Sequence, residues 1–447
     1  MPPKQPQLFD SEFNAILNPK HQIKWLADAI DWSFFEKAFE PLYAKTGRPA
    51  HPIRVMVGCL MLKRLYNLGD ETLMDRWIEN PTMQYFTGSD VMKHQPPCDP
   101  SDWSHFRDRI GQAGVEKIFA YSVQWHQKEI KKSSMVLSDT TVQGNHGTFP
   151  TDAKLNQKVI DQCHKIAKKE KIPQRQTDAK ASKELLRQTF NGKHPRRAKK
   201  AKKATSKLKT LAGRQVRELG RKRDPQQKSQ YQKELTWYQK VIHQQRFDQN
   251  KVVAIHKPFT ACIAKGKAHR MYEFGNKVGL IATGGPTMII TAIRAFEGNP
   301  HDSKTIQPLL EQHESIIGLT PKELIYDRGG RGKRQIGETK ISIPGKPLKS
   351  DTPYQKQKRR KKFRRRAAIE PLIGNLKTEH RMQENDLMGA QLPTINAYLA
   401  ATGWNLKKFM EQLVQDVLFY FFRRVSFSAQ RTLIIKIIEL QPLKKSF

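Results

Sequence analysis

Apolar residues recur at helical spacing through the first third of the chain. The clearest stretch, PIRVMVGCLMLKRLYNL, opens with Pro52, and proline suits the first turn of a helix. A second stretch, ETLMDRWIENP, can be capped by Asp70 or a neighbour and is ended by Pro81. A third, DWSHFRDRI, can begin after Ser101 and end at Gly111. The pattern therefore predicts several short helices joined by tight turns.

Basic residues lie on these predicted helices, namely Lys63, Arg64, Arg107 and Arg109. Short helices with cations on them are typical of a helix-turn-helix-like module that binds DNA. A plain helical bundle with a solvated basic face explains the same pattern equally well. We predict a helical DNA-binding domain over residues 1–130.

Alternating apolar and polar residues, typical of strands, follow this helical region. The run MVL predicts a buried strand that ends at Asp139. RMYEFGNKVGLIA and TMIITAIRAF predict two more strands, separated by the turn residues TGGP. A helix-like stretch begins at Asp302, and KELIYDRGGRG predicts a strand that ends at Asp327. Strand, long insertion, two strands, helix, strand and helix make up a mixed α/β layout.

The long insertion, residues 151–250, differs from the rest of the chain in its charge. The segment Lys193–Arg223 contains fourteen Lys or Arg and one acid, Glu218, with a thin apolar stripe of Leu208, Leu211 and Val216. We predict a basic helical insertion that lies along a phosphate backbone and is ordered partly by that contact. The lysines predicted to contact DNA there are Lys199, Lys200, Lys202 and Lys203.

The overall charge points to a polyanionic partner. The 447 residues carry a formal net charge of +38, which would repel itself unless nucleic acid is bound. The four cysteines are scattered without a CxxC pair, which argues against a zinc finger or a disulfide framework and favours a reducing cytoplasm. The N-terminus has no apolar signal segment, and the most apolar run, VLFYFF, is too short to span a membrane.

Three acids stand out as candidate metal ligands: Asp139 and Asp327 at predicted strand ends, and Glu370 in RRRAAIEPLIGNLKTEH. Taken alone, Asp139 is more simply interpreted as a solvated turn residue. Phosphodiester cleavage, however, needs an activated attacking oxygen and a stabilised leaving oxygen, which two divalent ions about 4 Å apart can supply. Magnesium prefers carboxylate and water oxygens. The acids could therefore converge at one edge of the sheet.

The surroundings of Glu370 leave one structural question open. Arg366 and Lys377 would share its face on a continuous helix, but Pro371 is best tolerated in a first helical turn. The helix therefore either begins near Glu370 or kinks there, with Arg366 outside it. Asp302 could join the acids, but capping the following helix is the interpretation we favour.

The spacing of Phe363, Arg366, Glu370 and Lys377 resembles the Tyr-Arg-Glu-Lys signature of bacterial insertion-sequence DDE transposases, with phenylalanine in place of the tyrosine. GRPAHPIRVMVGCLMLKRLYNLGDETL and NPTMQYFTG are similar to the N-terminal domain of the insertion-sequence-5 type. SDTTVQGN, FPTDAKL, KGKAHRMYEFGNKV and GNPHDSKTI are similar to segments around that family's catalytic core. The resemblance runs from about residue 47 to residue 406.

The resemblance implies a ribonuclease-H-like mixed sheet flanked by helices. It implies catalytic acids at Asp139, Asp327 and Glu370, Mg²⁺ with Mn²⁺ as a substitute, hydrolysis at transposon ends, and attack of the freed 3′-hydroxyl on target DNA. Arg366 and Lys377 would contact DNA near the cut. The remaining cations predicted to bind DNA are Arg364 and Arg365 in the basic block KQKRRKKFRRR.

We therefore expect a transposase with a catalytic core over residues 131–150 and 251–410 and a C-terminal helical tail over residues 411–447. Its partners would be double-stranded DNA, as terminal inverted repeats and target, and a second copy of the chain on DNA. It would be cytoplasmic, associated with the nucleoid and without membrane contact. The alternatives are a non-catalytic DNA-binding protein derived from a transposase and a basic RNA-binding scaffold.

Overall fold

The computed structural model describes residues 16–424 except residues 45, 48, 146, 223–224, 246, 268–269, 333, 346–349, 388 and 390. Within that part the helices before the sheet are α1 (Gln22–Ala29), α2 (Trp32–Phe39), α3 (Ile53–Leu65), α4 (Asp70–Glu79), α5 (Pro81–Phe86), α6 (Asp102–Gln124) and α7 (Gln127–Lys132). The insertion contains α8 (Asp152–Lys169), α9 (Ala179–Gln188), α10 (Pro195–Lys222) and α11 (Pro225–His243). The later helices are α12 (Asp302–Ile317), α13 (Pro353–Arg366), α14 (Ile369–Thr378) and α15 (Leu392–Arg424).

A mixed sheet forms the centre of the fold. Its strands are β1 (Met135–Gly144), β2 (Ala261–Lys267), β3 (Arg270–Thr283), β4 (Ile290–Phe296), β5 (Glu323–Ile325), β6 (Gln335–Ile336) and β7 (Thr339–Ser342). The order is β2-β3-β1-β5-β7-β6, and β4 also pairs with β3. β1 lies antiparallel to β3 and parallel to β5, so it joins the two halves of the sheet. The predicted mixed α/β class is confirmed.

The N-terminal helices form where the apolar pattern predicts them, with two differences at their ends. Pro81 follows the end of α4 and is also the first residue of α5. Asn80 caps α5, because its side chain accepts hydrogen bonds from the backbone N–H groups of Thr82 and Met83. Gly111 does not end α6. It interrupts the helix at φ 58° and ψ −167°, a conformation open to glycine, and the helix resumes beyond it.

Three of the four basic residues assigned to a helix-turn-helix-like surface are buried. Lys63 pairs with Asp70 at 2.5 Å, and Arg107 reaches the same carboxylate at 4.0 Å. Arg64 donates to Asn396 Oδ1 at 2.7 Å and is 3% exposed. These cations hold helices together and are not available as a DNA-facing row. Arg109 is exposed.

The helices of residues 16–130 share one hydrophobic core with a face of the sheet. This core includes Phe119 and Leu60 from the N-terminal helices, Leu137 and Leu280 from the strands, and Leu399 from α15. The helix α15 packs against α3, α6 and β4 and runs without a break across the predicted boundary between the core, ending at residue 410, and the tail, beginning at residue 411. Residues 425–447 of that tail lie outside the described residues.

The insertion has a hydrophobic core of its own. Leu208, Ala212, Val216 and Leu219 of α10 are buried, and they pack with apolar residues of α8 and α11 such as Val159. The apolar stripe is therefore broader than the sequence suggested, because alanines contribute to it. The apolar face of α10 is covered by the other helices of the insertion, and ordering of this segment by DNA contact stays a prediction.

Replacing Leu208 by alanine tests whether the insertion is folded without DNA. Leu208 is 0% exposed, and such truncations cost about 2–5 kcal/mol of unfolding free energy because a cavity remains. We expect a loss of that size in denaturant titrations of DNA-free protein that monitor insertion helicity by hydrogen exchange. Lys207→Ala, at an exposed neighbouring position, should change little. Equal stability of the two variants without DNA would contradict a preformed core.

Candidate functional site

Asp139 lies in the middle of β1, not at the end of a strand as the sequence suggested. β1 continues to Gly144 because its outer half still pairs with β3, where Asp139 lies opposite Leu280. The parallel pairing with β5, in contrast, stops at Leu137 opposite Ile325. Asp139 is thus the second residue beyond the end of that ladder.

The parallel register explains how Asp139 and Asp327 come together. Asp139 follows Leu137 by two residues, and Asp327 follows Ile325 by two residues. Residues at equal steps past a paired position on neighbouring parallel strands lie side by side and on the same face. The negative charge of Asp327 accordingly raises the pKa of Asp139.

Asp139 is a mostly buried carboxyl group with a cation beside it. Its Oδ2 accepts from Arg366 Nη2 at 2.6 Å, its Oδ1 accepts from the backbone N–H of Thr140 at 2.8 Å, and its side chain is 13% exposed. Burial raises the pKa of Asp139 to about 6, and the nearby charges of Asp327 and Asp302 act in the same direction. Arg366 and the Thr140 N–H lower the pKa but do not cancel the effect of burial.

Glu370 reaches the same cation from a separate helix. α13 ends at Arg366 and α14 begins at Ile369, so Arg366 lies outside the helix of Glu370, one of the two arrangements predicted from Pro371. Pro371 lies in the first turn of α14, where no helical N–H is lost. Glu370 Oε1 accepts from Arg366 Nη1 at 3.2 Å and its side chain is 65% exposed. One guanidinium therefore bridges Asp139 and Glu370.

Asp302 belongs to this cluster, and the preference for a helix cap is wrong. The cap of α12 is His301, which accepts from Ser303 N. Asp302 is the first residue of the helix, and its Oδ1 accepts from Thr140 Oγ1 at 3.0 Å and from Lys277 Nζ at 2.9 Å. The side chain thus binds the sheet and not the turn of its own helix.

Gly329 allows two of the carboxylates to approach each other. A Cβ at this position would lie within 3.0 Å of both Asp302 Oδ2 and Asp327 Oδ1. Asp327 Oδ1 also accepts from the backbone N–H of Gly329 at 2.8 Å, which fixes the carboxylate at the start of the short 3₁₀ turn Arg328–Gly330. A side chain at Gly329 would displace one of these oxygens, so the glycine maintains the space between them.

The donor set fits magnesium chemically, because all its members supply carboxylate oxygens. No group of three or more His, Cys, Asp or Glu side chains in the described chain is close enough to hold one ion, however. Arg366 and Lys277 provide the positive charge next to these acids. The acids are gathered in one region, but their oxygens do not converge on a single point.

Sequence reasoning assigned no role to Lys277 or Thr140, which the structure places at the site. Both lie in segments whose similarity to a transposase core was visible, GNKV and SDTTVQGN. Their contacts to Asp302 depend on the packing of α12 against β3, which residue spacing alone does not specify.

The predicted DNA-binding residues occupy several environments. Exposed ones are Arg364 on α13 and Lys199, Lys200, Lys202 and Lys203 on α10. Arg365 is half-buried and donates to the carbonyls of Gly284 and Gly285, so it fastens α13 to the turn before β4. Lys377 lies near the C-terminal end of α14, whereas Arg366 precedes the start of that helix. Lys377 lines a cleft beside the end of β1. No described helix combines the length and apolarity that a membrane span requires.

The fold and the site define a mixed α/β protein with a carboxylate cluster beside its central strand. Residues 11–109 match a family described as Transposase domain (DUF772). The chain is also 37% identical over 180 residues to the uncharacterized protein ORF8 in the nfe locus of Rhizobium meliloti, an alignment that covers 39% of this chain and 87% of that protein. No solved structure matches the chain.

The chain therefore belongs to the same family as the Rhizobium meliloti protein, and its N-terminal part carries a transposase domain. Transposases are DNA-processing enzymes, and a DNA partner agrees with the net charge of +38. The insertion-sequence-5 type and the catalytic signature stay predictions.

The raised pKa of Asp139 predicts a pH-dependent stability. A carboxyl group whose pKa is higher in the folded state stabilises at low pH, and this contribution is lost as pH rises from the unfolded value of 3.8 through about 6. Between about pH 4 and pH 7 the wild type should lose about 2–3 kcal/mol of unfolding free energy relative to Asp139→Asn. Denaturant titrations in EDTA measure this difference. Asp108→Asn, at an exposed position, should show the same pH dependence of the unfolding free energy as the wild type. If Asp139→Asn also showed the wild-type pH dependence, the raised pKa of Asp139 would be contradicted.

Proposed function

We propose that the chain is a DNA transposase that binds insertion-sequence ends, cleaves them by metal-dependent hydrolysis, and joins the freed 3′-hydroxyl to target DNA. The observation that supports this most is the gathering of Asp139, Asp327 and Asp302 beside the end of the β1–β5 ladder, with Glu370 linked to Asp139 through Arg366. Structural carboxylates are usually spread over a surface or individually paired. Burying one of a cluster costs stability, and carboxyl groups perturbed in this way are concentrated at functional sites.

In this proposal Asp139, Asp327 and Glu370 hold Mg²⁺, with Mn²⁺ as a substitute. The ion would supply activation of the attacking oxygen and stabilisation of the leaving oxygen. The contribution of the chain is to hold the ligands in place. Asp327 is oriented by the Gly329 N–H. Asp302, held by Thr140 and Lys277, acts as a positioning residue that closes the site from the α12 side.

In this scheme the guanidinium of Arg366 can pair either with the carboxylates of the site or with a DNA phosphate. Without DNA its guanidinium neutralises Asp139 and Glu370. A DNA phosphate is a strong competing acceptor for a guanidinium, which binds phosphate in a fork geometry. We propose that DNA draws Arg366 toward its backbone near the cut and that this frees the two carboxylates. Glu370, already 65% exposed, can turn toward Asp139 without breaking a packed contact.

The remaining parts of the chain fit supporting roles in the same proposal. Residues 1–130 would recognise the terminal inverted repeats, and the exposed lysines of α10 would follow the backbone, with Arg364 and Lys377 nearer the cut. Joining two ends to one target requires two active sites, so we propose a homodimer on DNA. The protein would act in the cytoplasm, on the nucleoid.

The rival with an observation in its favour is a non-catalytic DNA-binding protein derived from a transposase. Arg366 satisfies Asp139 and Glu370 as an ordinary structural ion pair would, and the described acids do not converge on one point. The rival leaves unexplained why Asp327 and Asp302 also face this site across a glycine.

Single substitutions of the acids separate the two proposals. Asp139→Asn, Asp327→Asn and Glu370→Gln should each lower Mg²⁺-dependent cleavage of end-containing DNA by at least about a hundredfold, because each removes a charged ligand. Binding of the same DNA in EDTA should change less than about threefold, since the backbone contacts are unchanged. Cleavage gels and fluorescence anisotropy give the two readouts.

Asp108→Asn, an exposed acid-to-amide change on α6, is the matched control and should retain full cleavage. Retention of cleavage by Asp139→Asn or Glu370→Gln would overturn the catalytic assignment. A wild type that binds end DNA tightly but never cuts it would favour the non-catalytic rival.

Gly329→Ala tests the space between Asp302 and Asp327. The added methyl would displace one of the two carboxylates, so the affinity for Mn²⁺ should fall about tenfold. Calorimetry in the presence of uncleavable end DNA measures this affinity. Gly285→Ala, where a Cβ meets nothing within 4 Å, is the control. Unchanged Mn²⁺ affinity in Gly329→Ala would show that the spacing of Asp302 and Asp327 does not matter for metal binding.

A further inference from the structure

A second strongly basic surface joins part of the basic block on α13 to residues of other elements. It is a cleft of about 720 Å³ between α13, the strand β7 and the loop that precedes β6. Its cations are Arg331, Arg334, Lys340, Lys358, Arg359 and Lys362. No described Asp or Glu lines it. Phe363, Ile341 and Ile343 contribute the apolar part of the lining.

Most of this charge is not neutralised within the described chain. Lys362 pairs with Glu323, and Arg359 pairs with Asp351 at 3.7 Å, both from outside the lining. The other four cations, Arg331, Arg334, Lys340 and Lys358, form no ion pair with a described residue, although Lys340 lies near enough to Glu323 to lower the pKa of that carboxyl. Four like charges facing one cleft repel each other and attract a polyanion.

Both walls of the cleft are continuous in sequence with residues of the acid cluster. One wall begins at Arg331, four residues after Asp327, across the 3₁₀ turn Arg328–Gly330. The other wall is α13, on which Lys362 lies one helical turn before Arg366. Both walls therefore lead into the site, one at each side, and a chain of phosphates lying in the cleft would continue toward Asp139.

We propose that this cleft binds the phosphate backbone of duplex DNA and guides it into the acid cluster from the Asp327 side. The cations are spread over a loop, a strand and a helix and do not converge on one point, which suits an extended backbone better than a single phosphate group. This inference rests on the proposed function for its partner. It adds a contact surface distinct from α10 and from the residues Arg364–Arg366.

Neutralising three exposed cations of the cleft tests the proposal. The variant Arg334→Gln, Lys340→Gln, Lys358→Gln removes no described hydrogen bond or ion pair of a side chain. Anisotropy titrations would use a duplex of about 30 base pairs in EDTA over a series of salt concentrations. Each lost phosphate contact should reduce the slope of log K against log salt by about 0.9, so the triple variant should lose about 2–3 units.

Lys131→Gln, Lys132→Gln, Lys322→Gln is the matched control, because it removes the same charge from exposed positions outside the cleft and outside residues 1–130. Thermal unfolding of both triple variants verifies that each is folded. A reduced slope in the cleft variant alone supports the proposal, and equal slopes for the two variants overturn it. Because the assay contains no metal and no cleavage, its result is independent of whether Asp139 and Asp327 prove catalytic.

Discussion

The strand β1 lies between an antiparallel neighbour, β3, and a parallel neighbour, β5, and this arrangement fixes where the acids can meet. Its pairing with β3 extends over the whole strand, whereas its pairing with β5 ends at Leu137. Where the second ladder stops, one side of β1 is left open while the other remains fixed. Asp139 projects beside this opening and Asp327 enters from the end of β5. A longer β5 would close the gap, and a one-residue shift of register would turn the acids to opposite faces.

Positive charge has two different roles in this chain. On the surface of α10 and in the cleft beside α13 it is solvated and available to a polyanion. At Lys63, Arg64 and Arg107 it is buried and joins helices, with Arg64 donating to Asn396 across a long sequence separation. Arg365 and Arg366 lie between these extremes, because one fastens a turn and the other neutralises two carboxylates. A net charge therefore identifies a class of partner but not the residues that meet it.

How far the site could be predicted depended on whether a signal was local. Asp139 and Asp327 could be selected because each follows an apolar run, and Glu370 because of its spacing from Arg366 and Lys377. The break between Arg366 and Glu370 could be anticipated because Pro371 restricts its own helix. Asp302 was misassigned because Asp is common at helix caps, and the competing cap at His301 carries no strong sequence signal. The insertion was underestimated because alanines on α10 contribute to a core that only the partner helices reveal.

Local periodicity and summed charge were enough to predict many of the helices and strands, the mixed α/β class and a polyanionic partner. The tertiary structure decided which charges meet. The shared guanidinium of Arg366, the approach of Asp302 to Asp327 across Gly329, and the basic cleft beside α13 all join residues distant in sequence. Such contacts depend on strand register and helix packing, which are properties of the assembled core and of no single segment.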